Sequence, residues 1–542
     1  MNLFELIAKI NIFRILCILF LTIFFFGFVR DLTIPIYDWD LDTEMYFGSR
    51  LLKGELIYLN EFHDKLPFVQ YIFSFLSLFK SHSSFTLLSG FSSIFSVVFF
   101  RISFLNAVTK IYENSYHNNI KEIVNFFCSI FLALSVLLPS SLNGISALSS
   151  SINLFAIGII LWIPSSKFFS FNYEQIIFII FTSIAISIRP YLIFPILFIP
   201  IWRYTSLNLE KINLFELRIS KEIFKKIWKL LVYWIFPIII FTIFINVIPY
   251  ILTNNFGFFL NGIKHNSQEL IPSSVIQVLI NHISSFFIYL PNLSRFIVIF
   301  CFLNFFLGIT NFAGYEIKVI ENKRNLDYIF CSAIFPLLLY LSFSLKHFHS
   351  HYYHLYSPYL LMSLSYLFIL ILKDKKFLLT RSKKIFLKLI IFSFFIILLK
   401  PDLQLIFEDL SKFGVSHPSY QKKILVERYI NNQGKSKNFL YPSNSYIHWQ
   451  FNQSRFGFPH AGNINHIYKD YWKNIIQNGD IETPSNSLEL CEMYQKKGPD
   501  IIILDKNFNG YNCLNNKYSN YFLDQKNIIS NQEEIYFFIR KD

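Results

Sequence analysis

The stretch DWDLD at 38–42 gathers three carboxylates in a chain of which only 15% of the 542 residues are charged. The residues that follow place apolar side chains at helical spacing, and Gly54 stands where such a helix would end. The pattern predicts a short amphipathic helix on the outer face of a membrane. Asp38, Asp40 and Asp42 then lie at its N-terminus, where the helix dipole favours ionised carboxylates by about 0.3–1 kcal/mol. An ionised carboxylate can act as a general base.

A second polar cluster follows at Glu61, His63, Asp64 and Lys65, just before Pro67. One interpretation is structural, because aspartates cap helices and acids soften a loop at a membrane surface. The other is functional, since a simple connector has little use for two acidic clusters. The second cluster favours a functional site.

The elements that must position these acids are membrane spans. The hydrophobic fraction is 53%, and the apolar residues lie in long runs rather than at amphipathic spacing. Crossing a hydrocarbon core takes roughly 20 apolar residues in a helix, so we expect an α-helical polytopic membrane protein with about eleven spans. The expected spans are 11–29, 67–80, 84–108, 123–139, 143–163, 175–202, 229–250, 292–313, 327–345, 355–372 and 386–400.

Orientation follows from the basic loops at 203–229 and 373–388, which carry seven Lys/Arg each against three acids and one. We expect the protein in the inner membrane of the cell, and the positive-inside bias predicts that both loops face the cytoplasm. The loop 30–66 has eight acids against four bases, and we expect it on the exported side. The net charge of +14 is then mainly a topology signal, and nucleic-acid binding is a poor explanation for it.

The tail from 401 onward differs in character from residues 1–400, the multi-span domain. Strand-length apolar runs alternate with polar helical stretches, which predicts a small exported α/β domain at 401–542. The predicted strands are 438–443, 500–505 and 534–540, and the predicted helices are 419–432 and 487–497. Cys491 and Cys513 share this tail, and whether they pair in a disulfide stays open.

The first loop resembles that of the GT-C superfamily of polyprenyl-phosphate-sugar-dependent glycosyltransferases, the group that includes lipid A aminoarabinose transferases and protein O-mannosyltransferases. The segments DWD, RLLKGELIY and HDKLP carry the resemblance. Its matching residues are Asp40, Tyr46, Gly54, Tyr58, Asp64, Lys65 and Pro67. Many relatives carry Glu where this chain has Leu41 and Pro where it has Leu66. The first departure leaves open whether Asp38 or Asp42 supplies the second carboxylate.

The resemblance implies an enzyme that takes a sugar from a polyprenyl-phosphate donor in the membrane lipid. The sugar passes to an envelope glycan, lipid or protein acceptor on the outer face. Asp40 is then the expected base, while Asp64, with Asp38 as a second possibility, orients the acceptor or the base. The remaining loop residues expected to contact substrate are Tyr46, Tyr58, Glu61 and Lys65. No cofactor is expected.

Cations must meet the phosphate that leaves as an anion. Arg189 lies inside the run 175–202, where an arginine costs roughly 2.5–3.5 kcal/mol on insertion scales and is expected to face a cavity or partner. Pro190 is expected to break the helix there. Lys346, His351 and Tyr352 are further candidates for phosphate or sugar contacts, although an aromatic and histidine belt at the membrane interface also explains them. The segment 345–358 contains four histidines, but no metal site is expected because their helical pairs lack a clear carboxylate partner.

Rival functions share some of these features. A lipid-linked oligosaccharide flippase or another transporter has many spans, but it needs neither an acid-rich outer loop nor an exported tail of this size. An enzyme like the O-antigen ligases or polymerases uses similar substrates and places its main chemistry in a large late loop. A membrane scaffold without activity is a third possibility.

Overall fold

A computed structural model describes most of the first half of the chain and the C-terminal sheet. The described residues are 39–58, 65–109, 121, 124–125, 128, 131, 141–208, 221–269, 355, 358–359, 361–362, 418–433, 438–441, 445–451, 499–505, 514–515, 519–529 and 533–541.

The described part is mainly helical. Its helices, numbered in chain order, are α1 (Trp39–Leu51), α2 (Phe68–Ser77), α3 (Ser83–Thr109), α4 (Ser141–Trp162), α5 (Tyr173–Ile188), α6 (Ile193–Asn208), α7 (Lys221–Leu230), α8 (Phe236–Leu252), α9 (Phe256–Glu269), α10 (Pro418–Gln433) and α11 (Ser445–Phe451). A π-helical turn, Leu231–Ile235, joins α7 to α8 without a break. Short 3₁₀ turns occupy Ser165–Lys167 and Pro190–Leu192.

Within the described part of the chain, three helical segments are long and apolar enough to cross a membrane, namely Ser83–Ala107, Ile145–Trp162 and Lys225–Leu252. They match the predicted runs 84–108, 143–163 and 229–250, so the membrane character of the chain is supported. The total of about eleven spans stays a prediction. The runs 11–29, 292–313, 327–345 and 386–400 lie outside the described residues, and 123–139 and 355–372 are described only at isolated positions.

Two predicted spans differ from the structure. The run 67–80 forms only the ten-residue helix α2, which is too short to cross a hydrocarbon core alone. The run 175–202 is not one helix, because α5 ends at Ile188 and α6 begins at Ile193. Pro190 explains the break, since proline lacks the N–H that a helix needs and disfavours helical backbone in Arg189, which is extended (φ −137°, ψ 92°).

The C-terminal strands form a four-stranded sheet in the order β1 (Phe439–Leu440), β2 (Ile501–Asp505), β4 (Glu533–Arg540) and β3 (Tyr521–Ile529). β1 pairs with β2 in parallel, and the other pairs are antiparallel. The predictions at 500–505 and 534–540 and the helix at 419–432 are confirmed; the helix predicted at 487–497 lies outside the described residues. β3 was missed because it is an edge strand with mostly exposed, partly charged side chains, which blurs the apolar pattern.

The chain divides into two compact units, each of which is described by itself. One comprises Met1–Gly27, Leu87–Phe244 and Pro272–Lys412; the other comprises Phe28–Thr86, Ile245–Ile271 and Phe413–Asp542. The second unit therefore groups the acid-rich first loop with the C-terminal sheet, which the division at residue 400 had separated.

Candidate functional site

The acid helix, α1 (Trp39–Leu51), is confirmed at the predicted place, but it is not amphipathic in the expected sense. Every described side chain from Leu41 to Arg50 is buried, including Asp42 (0% exposed) and Glu44 (2%). Gly48 explains how α2 covers one side, because a Cβ at this position would lie 2.2 Å from the backbone carbonyl carbon of Phe73. Two helix backbones thus approach where the side chain is only a hydrogen.

Asp42 is hydrogen-bonded to His82, which lies just before α3. The distance from His82 Nε2 to Asp42 Oδ1 is 2.6 Å, and both side chains are almost fully buried. Because a carboxylate accepts, the proton on Nε2 is donated by the imidazole. Sequence reasoning missed His82, which is 40 positions from Asp42 and carries no motif around it. The sequence left open whether Asp42 supplies the second carboxylate, whereas its burial against His82 makes Asp42 a structural element of the acid helix.

The C-terminal helix α11 lies against His82 and the acid helix. The ring of Trp449 is 5.5 Å from that of His82, between centroids, and tilted by 32°. Tyr46 of the acid helix meets His448 edge to face at 6.2 Å. Gln450 Nε2 donates to the Lys80 carbonyl oxygen over 3.1 Å. The acid helix is therefore covered by residues from the far end of the chain.

His448 in turn ties α11 to the sheet. Its Nε2 accepts a hydrogen bond from the backbone N–H of Tyr441 at 2.9 Å, and its ring stacks on Phe439 of β1 at 5.1 Å. An Nε2 that accepts carries no proton, so the neutral imidazole has its hydrogen on Nδ1. The sheet, α11 and the acid helix are joined through consecutive contacts.

Gln70 of α2 holds the loop after the acid helix in place. Its Nε2 donates to the carbonyl oxygens of Phe47 and Glu55, each at 2.9 Å, and its Oε1 accepts from Ile57 N at 3.2 Å. The turn itself contains Gly54 at φ +81°, the left-handed conformation expected after a helix. Arg50 closes the turn with a bidentate ion pair to Glu55. Burial, followed by the nearby Arg50 charge, lowers the pKa of Lys53 in the same turn.

Tyr58 occupies a strained position at the end of this loop. Its backbone is left-handed (φ 64°), which is unfavourable for a bulky residue. Its hydroxyl donates to the Lys65 carbonyl oxygen at 2.6 Å, and its buried ring packs beside those of Tyr250 and Phe259, with centroids 6.3 and 6.5 Å away. Gly262 is the partner that makes room, since a Cβ there would lie 2.6 Å from the Tyr58 ring.

The remaining predicted residues of the first loop are placed only in part. Position 40 lies in the first turn of the acid helix, one turn before Glu44, while the side chain of Asp40 is outside the described part of the structure. Lys65 is described, and its carbonyl oxygen receives the Tyr58 hydroxyl. Outside the described residues lie Asp38, Glu61, Asp64, Lys346, His351 and Tyr352.

Arg189 belongs to the other unit, at the break between α5 and α6. It is 2% exposed, and its Nη2 donates to Ser146 Oγ at 3.3 Å. Ser146 is one of five buried polar residues in the middle of the apolar helix α4, namely Ser146, Ser149, Ser150, Ser151 and Asn153. Asn153 donates from Nδ2 to the Tyr359 hydroxyl at 2.8 Å, and its Oδ1 has no hydrogen-bond partner among the described residues. The expectation that Arg189 faces a partner is met by Ser146.

Among the described residues, no group of three His, Cys, Asp or Glu side chains is arranged to hold a metal ion. Cys128 is buried in this part of the chain. Cys491 and Cys513 lie outside it.

Comparison with known proteins identifies no relative. No protein-family model matches the chain, and neither the curated proteins nor the solved structures include one that resembles it significantly.

Proposed function

We propose that this protein is an integral membrane glycosyltransferase that moves a sugar from a polyprenyl-phosphate donor to an envelope glycan, lipid or protein acceptor. The first loop, 30–66, and the C-terminal domain, 401–542, would face the exported side. The proposal rests on the resemblance of the first loop to the GT-C superfamily and on the chemistry available to its acids. Asp40 is the base in this proposal.

The observation that supports it best is the burial of the acid helix. Carboxylates that only soften a surface loop gain nothing from being buried, because taking a charge out of water is costly unless it is paired. Here Asp42 is paired with His82 at 2.6 Å, and Gln70 and α11 brace the helix from other directions. A helix held in this way is a rigid support on which a reacting group at position 40 keeps its direction.

The reaction needs few groups. An acceptor hydroxyl or amine loses its proton to a carboxylate as it attacks the anomeric carbon, and the bond from that carbon to the phosphate oxygen breaks. The lipid phosphate leaves as an anion with the bonding electron pair, and cations stabilise the charge that develops. Arg189, Lys65 and Lys346 remain the proposed sources of positive charge.

The direct test is transfer by the purified full-length protein in lipid nanodiscs. A set of polyprenyl-phosphate sugars with radiolabelled sugar moieties is offered together with envelope lipid and glycan fractions. Loss of label from the donor and its appearance in an acceptor, in amounts exceeding the enzyme, support the proposal. Intact donor across the whole set, with folded protein, would overturn it.

A second candidate function is a transporter of lipid-linked sugars, and the buried polar residues of α4 favour it. Buried hydroxyls, together with an arginine at the break between two apolar helices, are also what a polar headgroup would meet on its way across a membrane. Reconstituted liposomes distinguish the two, because a transporter moves the labelled lipid between leaflets and leaves its sugar-phosphate bond intact.

A further inference from the structure

Asp42, His82 and Trp449 come from three distant parts of the sequence and meet in one buried place. The hydrogen bond between Asp42 Oδ1 and His82 Nε2 is 2.6 Å long, and the Trp449 ring lies 5.5 Å from the His82 ring. The hydrogen-bonded side chains of Asp42 and His82 are 0% and 3% exposed. A carboxylate in such a place depends on its partner, because water cannot replace it.

The pair also links the acid helix to the residue that precedes α3. Asp42 belongs to the acid helix, two positions after Asp40, and His82 marks the start of α3, the first long apolar helix described. Trp449 belongs to α11, which His448 ties to β1 through Tyr441. A group near position 40 is thereby connected through Asp42 and His82 to the segment just before α3, and through α11 to the C-terminal sheet.

We infer that Asp42 and His82 form a positioning pair, clamped by Trp449, that holds the acid helix in the orientation its base requires. This inference rests on the proposed transferase function for its kinetic part. Neither residue of the pair takes the acceptor's proton, because their facing atoms are engaged with each other. The C-terminal segment that contains α11 is consequently required for transfer, even though the base is in the first loop.

The chain offers graded variants for the test. His82→Gln places a neutral N–H donor at nearly the same distance from the backbone, whereas His82→Ala removes it. Asp42→Asn keeps an acceptor and removes the charge, and Trp449→Ala removes the clamp. Glu427→Gln is the control, since it also removes a carboxylate charge in the same unit, where Glu427 pairs with Lys423 (Nζ to Oε1, 3.5 Å) within α10.

Two readouts are measured on full-length protein in nanodiscs. The first is hydrogen exchange of peptides covering the acid helix, which does not require activity. We expect His82→Ala, Asp42→Asn and Trp449→Ala to raise hydrogen exchange at 41–51 at least tenfold, whereas Glu427→Gln should leave exchange there unchanged. Unaltered exchange in these three variants would overturn the inference, whether or not the protein transfers sugar.

The second readout is transfer at matched amounts of folded protein. We expect kcat to fall at least tenfold in His82→Ala with KM for the donor within twofold, and His82→Gln to restore most of kcat. The double variant Asp42→Ala/His82→Ala should lose no more transfer activity than Asp42→Ala or His82→Ala alone, because the two side chains act as one unit. A loss in the double variant equal to the product of the two single losses, or a change in KM without a change in kcat, would refute the positioning role. A wild-type protein that transfers nothing would instead refute the proposed function, while the exchange data still test the pair.

Discussion

Gly48 of the acid helix and Phe73 of α2 are in backbone contact. A Cβ on Gly48 would lie 2.2 Å from the Phe73 carbonyl carbon and 2.3 Å from its oxygen, so no side chain fits between the helices. The acid helix is buried because this contact allows α2 to lie directly on it.

Replacing Gly48 is therefore expected to separate the two helices. Gly48→Ala should destabilise the protein by at least about 1–3 kcal/mol, because the obstacle is backbone and cannot rotate away. Thermal unfolding in nanodiscs measures the effect. Gly257→Ala is the matched control: Gly257 lies in α9, and among the described residues nothing is within 4 Å of a Cβ placed there, so alanine should be neutral or stabilising. Equal unfolding temperatures for the two variants would contradict the packing described.

Gln70→Leu is expected to loosen the loop after the acid helix. Leucine has similar size but leaves Ile57 N–H and the carbonyl oxygens of Phe47 and Glu55 without their present partner. Each buried polar group left unsatisfied costs about 1–3 kcal/mol, so a clear loss of stability follows. Gln525→Leu, at an exposed position of β3, should change stability by less than about 0.5 kcal/mol. A Gln70 variant as stable as the Gln525 variant would show that these bonds contribute little.

Asp40→Asn separates a general base from a helix cap. Asparagine caps a helix about as well as aspartate but cannot take a proton from the acceptor, so transfer should fall at least ~10²-fold with donor binding nearly unchanged. Initial rates at matched folded protein measure the loss. Wild-type rates in Asp40→Asn would remove Asp40 from the chemistry and leave it a cap.

Membrane topology gives a prediction that is independent of activity. The loop 30–66 and the tail from 401 should lie on one side, and the basic loops at 203–229 and 373–388 on the other. Reporter fusions after residues 60, 215, 380 and 450 are expected to report outside, inside, inside and outside. Finding residues 60 and 215 on the same side would refute this topology.

Alkaline pH should destabilise the packing of α10 on the sheet. The Tyr429 hydroxyl donates to Asp524 at 2.8 Å, and burial together with this carboxylate raises the pKa of Tyr429 above its ordinary value of 10. Above pH 10 the unfolded chain releases this proton while the folded chain keeps it, so stability falls as pH rises. Tyr429→Phe should lessen that fall in alkaline unfolding curves of the full chain. An identical pH dependence in both proteins would contradict the assignment.

Local pattern was sufficient for the elements whose signal lies in neighbouring residues. The apolar runs that became α3, α4 and α8, the helix after DWDLD, the turn at Gly54 and the break at Pro190 could all be predicted from sequence. Each depends on side-chain polarity or backbone freedom within a few positions. The same holds for β2 and β4, whose interior position keeps them apolar, but not for the exposed edge strand β3.

The surroundings of the acid helix were decided only by the tertiary structure. The spacing of Asp42 suggested a solvated cap, whereas the fold buries it against His82, 40 positions away, under Trp449, more than 360 positions further along the chain. Tyr58 and Gly262, and Gly48 and Phe73, meet in the same way across long stretches of sequence. Local sequence shows that an aspartate lies near the N-terminus of a helix. This determines its proton chemistry, because that chemistry depends on the carboxyl group and on the nearby helix end. Whether it is buried, and which partner it binds, depends on contacts between distant segments, which no local pattern encodes.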